Sequence, residues 1–198
     1  MPLEIERKYR FSDFAVLRTR LREARAEYRG RDFEENVVLD TPERDLRKGE
    51  ILLRLRIVGQ SSVLCLKKPP QESSLADRYK VYDEIETRVA DSERMQEIFR
   101  HLGYELAFRY EKLRETWRLD RVTICLDHLP IGRYVELEGD EESIPGAVEI
   151  LGLQGCPSTN MNYHQLNKSY RREQGLEDDD SFVFSPREKQ RLIERLGK

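Results

Sequence analysis

Only three cysteines occur in the chain, Cys65, Cys125 and Cys156, and no two of them stand in a CxxC pair. That excludes a disulfide framework and a thiolate zinc site of ordinary spacing. An odd count of thiols points to a reducing, cytoplasmic setting. The three histidines, His101, His128 and His164, show no HxH or HExxH spacing and are expected on the surface. Charge of one sign is not in excess: 35 bases face 38 acids, a formal net charge of −3, which is not the profile of a nucleic-acid binder. No run nears the roughly 20 apolar residues that span a bilayer, and no apolar leader opens the chain, so no membrane role is expected. There is no glycine-rich phosphate loop, no internal repeat and one Trp, Trp117, expected as packing.

What the chain has is charge: 37% of its residues, against about 25% in an average soluble domain. The charges are ordered. In "LEIERKYRF", Glu4, Glu6, Lys8 and Arg10 alternate with Leu3, Ile5, Arg7, Tyr9 and Phe11, the two-residue period of a β-strand. The same alternation puts Arg54 and Arg56 on one face of "LLRLRIV", Glu84 and Glu86 on one face of "DEIET", Lys112 and Arg114 on one face of "YEKLRE", and Glu136 and Glu138 on one face of "YVELEG". Lys67 closes the strand "SVLCLKK" on the face of Val63 and Cys65, where Cys65 reads as a small apolar filler. Asp127 follows Cys125 and Leu126.

Between these strands, residues 12–24, 92–103, 141–153 and 162–174 carry helical periodicity, with Met95, Ile98, Phe99 and Leu102 inward on the second. "RGRDF" breaks the first helix, and a strand starts at "ENVVLDTP". "ILLRLRIV" and "SVLCLKK" form a hairpin, and "PPQESSLADR" is a polar loop and a candidate lid. Residues 1–174 are expected to form one domain, followed by a charged, partly helical tail over 175–198. About eight strands joined mostly by short turns predict an α+β chain with an antiparallel sheet that closes on itself.

A single charged strand face is most simply a wet one. Five strands with like-charge doublets strictly two apart suggest instead a barrel with a polar interior, its apolar side turned outward and covered by helices. Residues two apart lie roughly 6.8 Å apart, so two carboxylates can converge on one cation and two bases can hold separate oxygens of an extended anion. Crowded like charges need partners, and a polyphosphate with divalent cations supplies both signs.

The blocks "EIERK", "LDTPERDLRKGEILLRLR", Lys67, "EIE", "EKLRE", Asp127, "VELE" and "NKSY" stand in an order that resembles the CYTH domain of the triphosphate tunnel metalloenzymes over residues 1 to about 173. The resemblance implies an eight-stranded antiparallel β-barrel open as a tunnel, with Mg²⁺ or Mn²⁺ as cofactor and a small-molecule triphosphate as partner. It implies Glu4, Glu6 and Glu138 as metal ligands with Glu136 beside them. Lys8, Arg54, Arg56, Lys67, Lys112, Arg114 and Lys168 become triphosphate-binding bases. Glu84, Glu86 and Asp127 become candidates for a second metal or for orienting water, with Glu86, Glu84 and Lys8 closest to the chemistry. One position departs from the family: Tyr82 stands where many members have Arg, and Arg78 or Lys80 could replace it. The expected activity is metal-dependent hydrolysis of inorganic tripolyphosphate or a nucleoside triphosphate, by a monomer or homodimer. The alternatives are cyclisation of ATP to cyclic AMP, non-catalytic polyphosphate or nucleotide binding, and a structural domain with a charged exterior.

Overall fold

A computed structural model describes residues 3–70 and 79–196; the side chains of Leu3, Glu4 and Lys80 are outside that description. The proposed lid and Arg78 therefore lie largely outside the described residues, as do the side-chain roles of Glu4 and Lys80. In chain order the elements are β1 (Leu3–Arg10), α1 (Phe14–Glu23), β2 (Glu27–Asp40), α2 (Asp45–Lys48), β3 (Leu52–Val58), β4 (Ser61–Lys68) and β5 (Lys80–Val89). There follow α3 (Ser92–His101), β6 (Glu105–Leu119), β7 (Val122–Leu129), β8 (Gly132–Glu138), α4 (Ile144–Ile150), β9 (Ser158–Thr159), α5 (Tyr163–Glu173) and α6 (Pro186–Glu194).

Eight strands pair antiparallel in the order β5-β4-β3-β2-β6-β7-β8-β1, and β1 returns to β5, so the sheet is a closed barrel. β1 makes the closure by dividing its edge. Leu3 to Glu6 pair with β5, while Lys8 and Tyr9 pair with the short β9. Closure removes the exposed edges that an open sheet of this length would present.

The apolar face of the strands looks outward. Ile5, Trp117, Ile124, Leu126, Val135 and Leu137 form one core with Phe14, Leu17 and Leu21 of α1 and with Ile144, Ala147 and Val148 of α4. Asp13 caps α1 through the backbone amides of Ala15 and Val16, which starts the helix at Phe14, two residues later than Ser12. A second outer core places Met95 and Phe99 of α3 against Leu39, Leu53 and Leu55. Ile98 and Leu102, expected inward on that helix, are exposed, because the helix meets the barrel along a narrow stripe.

β2 begins at Glu27, not at Glu35, and "RGRDF" lies inside it. Its long partner β6 gives the segment a ladder to pair with, interrupted by irregularities at Tyr28/Gly30 and Val38/Leu39; Gly30 adopts φ 136°, a conformation that disfavours other residues. α4 is shorter than residues 141–153, and "GCPSTN", expected only as a separator, contributes β9. The tail is packed on the barrel. Phe182 joins a core with Val38 and Tyr110, and Phe184 one with Phe33, Leu113 and Leu192 of α6. Among the described residues no helix is long and apolar enough to cross a membrane.

Candidate active site in the barrel tunnel

Side chains on the inner face line a cavity of about 770 Å³. Glu6, Lys8, Arg54, Arg56, Lys67, Glu84, Glu86, Lys112, Arg114, Glu136 and Glu138 all face it. Strand period brings them there: each doublet sits on alternate positions, and barrel closure turns those positions to one axis.

One side of the interior, built by β6, β7, β8 and β1, is a buried lattice of opposite charges. Lys8 Nζ lies 2.6 Å from Glu6 and 2.9 Å from Glu136. Lys112 donates to Asp127 at 3.0 Å and lies 3.5 Å from Glu34. Arg114 grips Asp127 through two bonds, of 2.7 and 2.6 Å, and donates to Glu136 as well. Asp127 is wholly buried beneath these bases and does not line the cavity. Burial alone would push the Glu136 carboxyl up, but Lys8, Arg114 and Lys112 hold it well below the usual carboxylate range. The same contest holds Glu34 at about 2, with Lys112 and Arg114 overcoming its burial.

The other side, built by β3, β4 and β5, is more open. Arg56 meets Glu86 at 3.0 Å and Lys67 meets Glu84 at 3.2 Å. Arg54 is buried, donates to the Tyr110 hydroxyl at 2.8 Å, and has no partner at Nε. Cys65 is not apolar filling: its Sγ lies 3.0 Å from Glu84 Oε1, and burial pushes the thiol up to about 12, so it stays protonated and donates.

Two groups have donor sets for a cation. Glu6 and Glu138 are register partners across β1 and β8 and both face the cavity. Like charges directly opposite are unfavourable unless a cation joins them, and two carboxylates are hard oxygen donors of the kind Mg²⁺ or Mn²⁺ takes. Glu4 occupies the β1 position two residues before Glu6. Atoms of Cys65, Glu84 and Glu86 lie within 4.8 Å of one another. With the thiol protonated, the two glutamates are the oxygen donors there, each already beside a base.

Lys168 is placed apart from the other expected bases. It projects from α5 to Asp178 and Asp180 of the tail, both at 2.7 Å, and is not among the residues facing the cavity. Asp40 has a role the doublets did not suggest. Its buried carboxylate accepts the backbone amides of Thr41, Leu46 and Arg47 at 2.8, 2.9 and 3.0 Å, which fixes α2 and brings Arg47 to the cavity.

Sequence reading missed Glu34, Asn36, Tyr110 and Tyr163. The first two stand two apart in "EENVVLD", the same signal used elsewhere, but only one of them is charged. Asn36 is buried with both amide atoms unpartnered. Tyr163 follows the capped turn at Asn162, where the Gln165 side chain completes a capping box, and reaches back into the barrel. Its hydroxyl donates to Asp127 at 2.8 Å, and Lys8 Nζ sits 4.5 Å above its ring. No periodic pattern announces such a residue. The histidines also differ from expectation: His101 is exposed, but His164 faces the cavity and stacks on Phe108 at 4.7 Å, and His128 packs on Phe184. Trp117 is buried packing, as expected, with Nε1 donating to Glu115 at 2.8 Å.

A closed antiparallel barrel whose inner face carries paired acids and bases is the class of protein the fold and site define. The family model for the CYTH domain matches residues 2–152, and the chain belongs to that family. It is 24% identical over 182 residues to a protein of Methanocaldococcus jannaschii named "Putative adenylate cyclase", covering 88% of this chain and 99% of that one. Among solved structures, a protein from Vibrio parahaemolyticus with the same wording in its name superposes with a TM-score of 0.69 at 20% identity, over 84% of this chain and 98% of that one. A Hippeastrum protein described as a "Putative adenylyl cyclase" with a dominant triphosphatase activity gives 0.58 at 19% identity, over 89% and 98%. At these identities the solved structures speak for the fold.

Proposed function

We propose that the chain binds the phosphates of a short triphosphate compound in the tunnel and hydrolyses its terminal phosphoryl group with Mg²⁺ or Mn²⁺. The observation that carries this reading is Arg54. Its guanidinium is buried and faces the cavity, with one phenolic oxygen as hydrogen-bond partner and, among the described residues, no carboxylate in ion-pair reach. A buried cation with no carboxylate in contact is costly, and a phosphate oxygen is its complement.

Arg54, Arg56 and Lys67 stand on adjacent strands and would hold successive phosphates, spreading the charge that develops on the transferred group. Lys8 and Lys112 bound the site on the opposite wall. Glu84 and Glu86 would orient the attacking water and accept its proton, once phosphate draws Lys67 and Arg56 away from them. Glu6 and Glu138 would hold the cation, with Glu4 and Glu136 beside them. When bound, the cation supplies Lewis-acid polarisation of phosphate oxygens.

The test is phosphate release from tripolyphosphate, thiamine triphosphate and ATP with each metal. Release that disappears in Arg54→Met and Glu6→Gln is the expected result. Tight binding of all three without release would make the chain a polyphosphate or nucleotide binder. The names of its relatives favour a second reading, cyclisation, and cyclic AMP in place of ADP and phosphate from ATP would establish that one.

A further inference from the structure

We infer that the C-terminal tail limits the length of phosphate chain the tunnel accepts, with Asp180 as the specificity-determining residue; this rests on the triphosphate reading above. The family match ends at residue 152, so the tail lies outside it. Two of the residues facing the cavity, Arg47 and His164, are joined from outside by one carboxylate. Asp180 Oδ1 lies 2.8 Å from His164 Nε2 and 2.7 Å from Lys168 Nζ, while Oδ2 accepts from Arg47 at 3.1 Å. Asp178 adds a second carboxylate on Lys168, with both oxygens at 2.7 Å.

These contacts are held by a docked backbone rather than a loose end. Phe182 N donates to Arg109 O at 3.0 Å, Glu111 N donates to Phe182 O at 3.2 Å, and Asn167 Nδ2 donates to Asp179 O at 2.7 Å. Phe182 itself is buried. Asp180 is thus fixed two residues from an anchored aromatic.

Asp178 is exposed, Asp180 half-buried and Arg54 buried. On β3, Arg54 and Arg56 lie two and four residues past Leu52, roughly 7 and 14 Å further along the strand. A phosphate chain that ends among these bases meets Arg54, which has no described carboxylate in ion-pair reach, and displaces Glu86 from Arg56 and Glu84 from Lys67. One that continues past Leu52 towards Arg47 meets a base that Asp180 already holds, with Lys168 behind it held by both tail carboxylates. Burial lowers the His164 pKa first, with Arg47 and Lys168 adding to it against Asp180, so the imidazole supplies no compensating charge at neutral pH. With its bases already taken up by the tail, that point offers the longer anion no added attraction and leaves the short one unaffected, which is how specificity is built against a competitor.

The experiment compares equilibrium binding of tripolyphosphate and of a long linear polyphosphate to the full chain, and to Asp180→Asn, Asp178→Asn/Asp180→Asn and Asp180→Glu. The expected result is a tenfold or larger shift of the affinity ratio towards the long chain in the double variant, about 1.4 kcal/mol, a smaller shift in Asp180→Asn, and none in Asp180→Glu. Asparagine keeps the carboxylate's shape, and thermal melts verify that each variant remains folded; a shift in Asp180→Glu equal to that in Asp180→Asn would mean that charge is not the cause. Equal tightening of both anions, or no change in either, overturns the inference while leaving the triphosphate reading intact. A ratio shift in a protein that releases no phosphate from any substrate would overturn the hydrolytic reading and support the inference. Failure of the wild type to bind tripolyphosphate would overturn both.

Discussion

The two walls of the tunnel carry similar numbers of charges and use them differently. On the β6–β7–β8–β1 wall each base already has its acid: Lys8 with Glu6 and Glu136, Lys112 and Arg114 with Asp127. On the β3–β4–β5 wall the Arg56–Glu86 pair is 22% and 37% exposed, and among the described residues Arg54 has no acid within ion-pair distance, Glu34 and Glu84 acting on it from farther away. The first wall is a scaffold whose charges satisfy one another; the second holds charges that can change partners. Side chains that must release one partner and take another cannot be locked into a buried lattice, because removing an ion from a desolvated pair leaves its neighbour uncompensated.

The largest effect should come from breaking the first wall. Asp127→Ala leaves Lys112 and Arg114 buried without their shared acid and should destabilise the fold by about 3–5 kcal/mol in urea denaturation. The same substitution logic on the second wall should separate stability from binding. Arg54→Met should leave the denaturation midpoint unchanged or raised. It should weaken tripolyphosphate binding by about tenfold to a hundredfold in calorimetry, the worth of a lost charge-assisted bond. A fall in stability matching that of Asp127→Ala would erase the distinction between the walls.

Acid should also act on the first wall through Glu34, which reaches its Lys112 and Arg114 from the neighbouring β2. Glu34 is held from the ordinary 4.5 down to about 2, so the unfolded chain binds more protons than the folded one between those values. The stability this gives is whole above about pH 4.5 and is lost as pH falls towards 2. Thermal melts stepped through that range should show the loss in the wild type and a flatter profile in Glu34→Gln. The smallest stability effect is expected from Glu86→Gln, within about 1 kcal/mol, since its ion pair with Arg56 is partly solvated. Its phosphate release should fall nonetheless, and unchanged turnover would remove Glu86 from the water-orienting role.

Much of this was legible from the chain alone. Period-two alternation is a local property, so "EIERK", "LRLR", "EIE", "EKLRE" and "VELE" announce which residues share an inner face before any contact is known. The order of those blocks is enough to name the family. Elements without such alternation were misread. "RGRDF" became a strand because β6 offered it a partner, and Ile98 stayed exposed because one narrow stripe of α3 satisfied the contact. Tyr163 enters the site from a helix, and Asp180 reaches Arg47 and His164 from a tail far along the chain, and nothing near either in sequence signals it.

The sequence by itself determined that the chain would carry opposed acids and bases on one face of several strands, and with that the barrel class. Only the tertiary structure decided which base received an acid, that Arg54 has none in ion-pair reach among the described residues, and that Lys168 turned to the tail. Those outcomes depend on strand register and barrel closure, which bring residues distant in the chain to within bonding reach, and no local spacing encodes them.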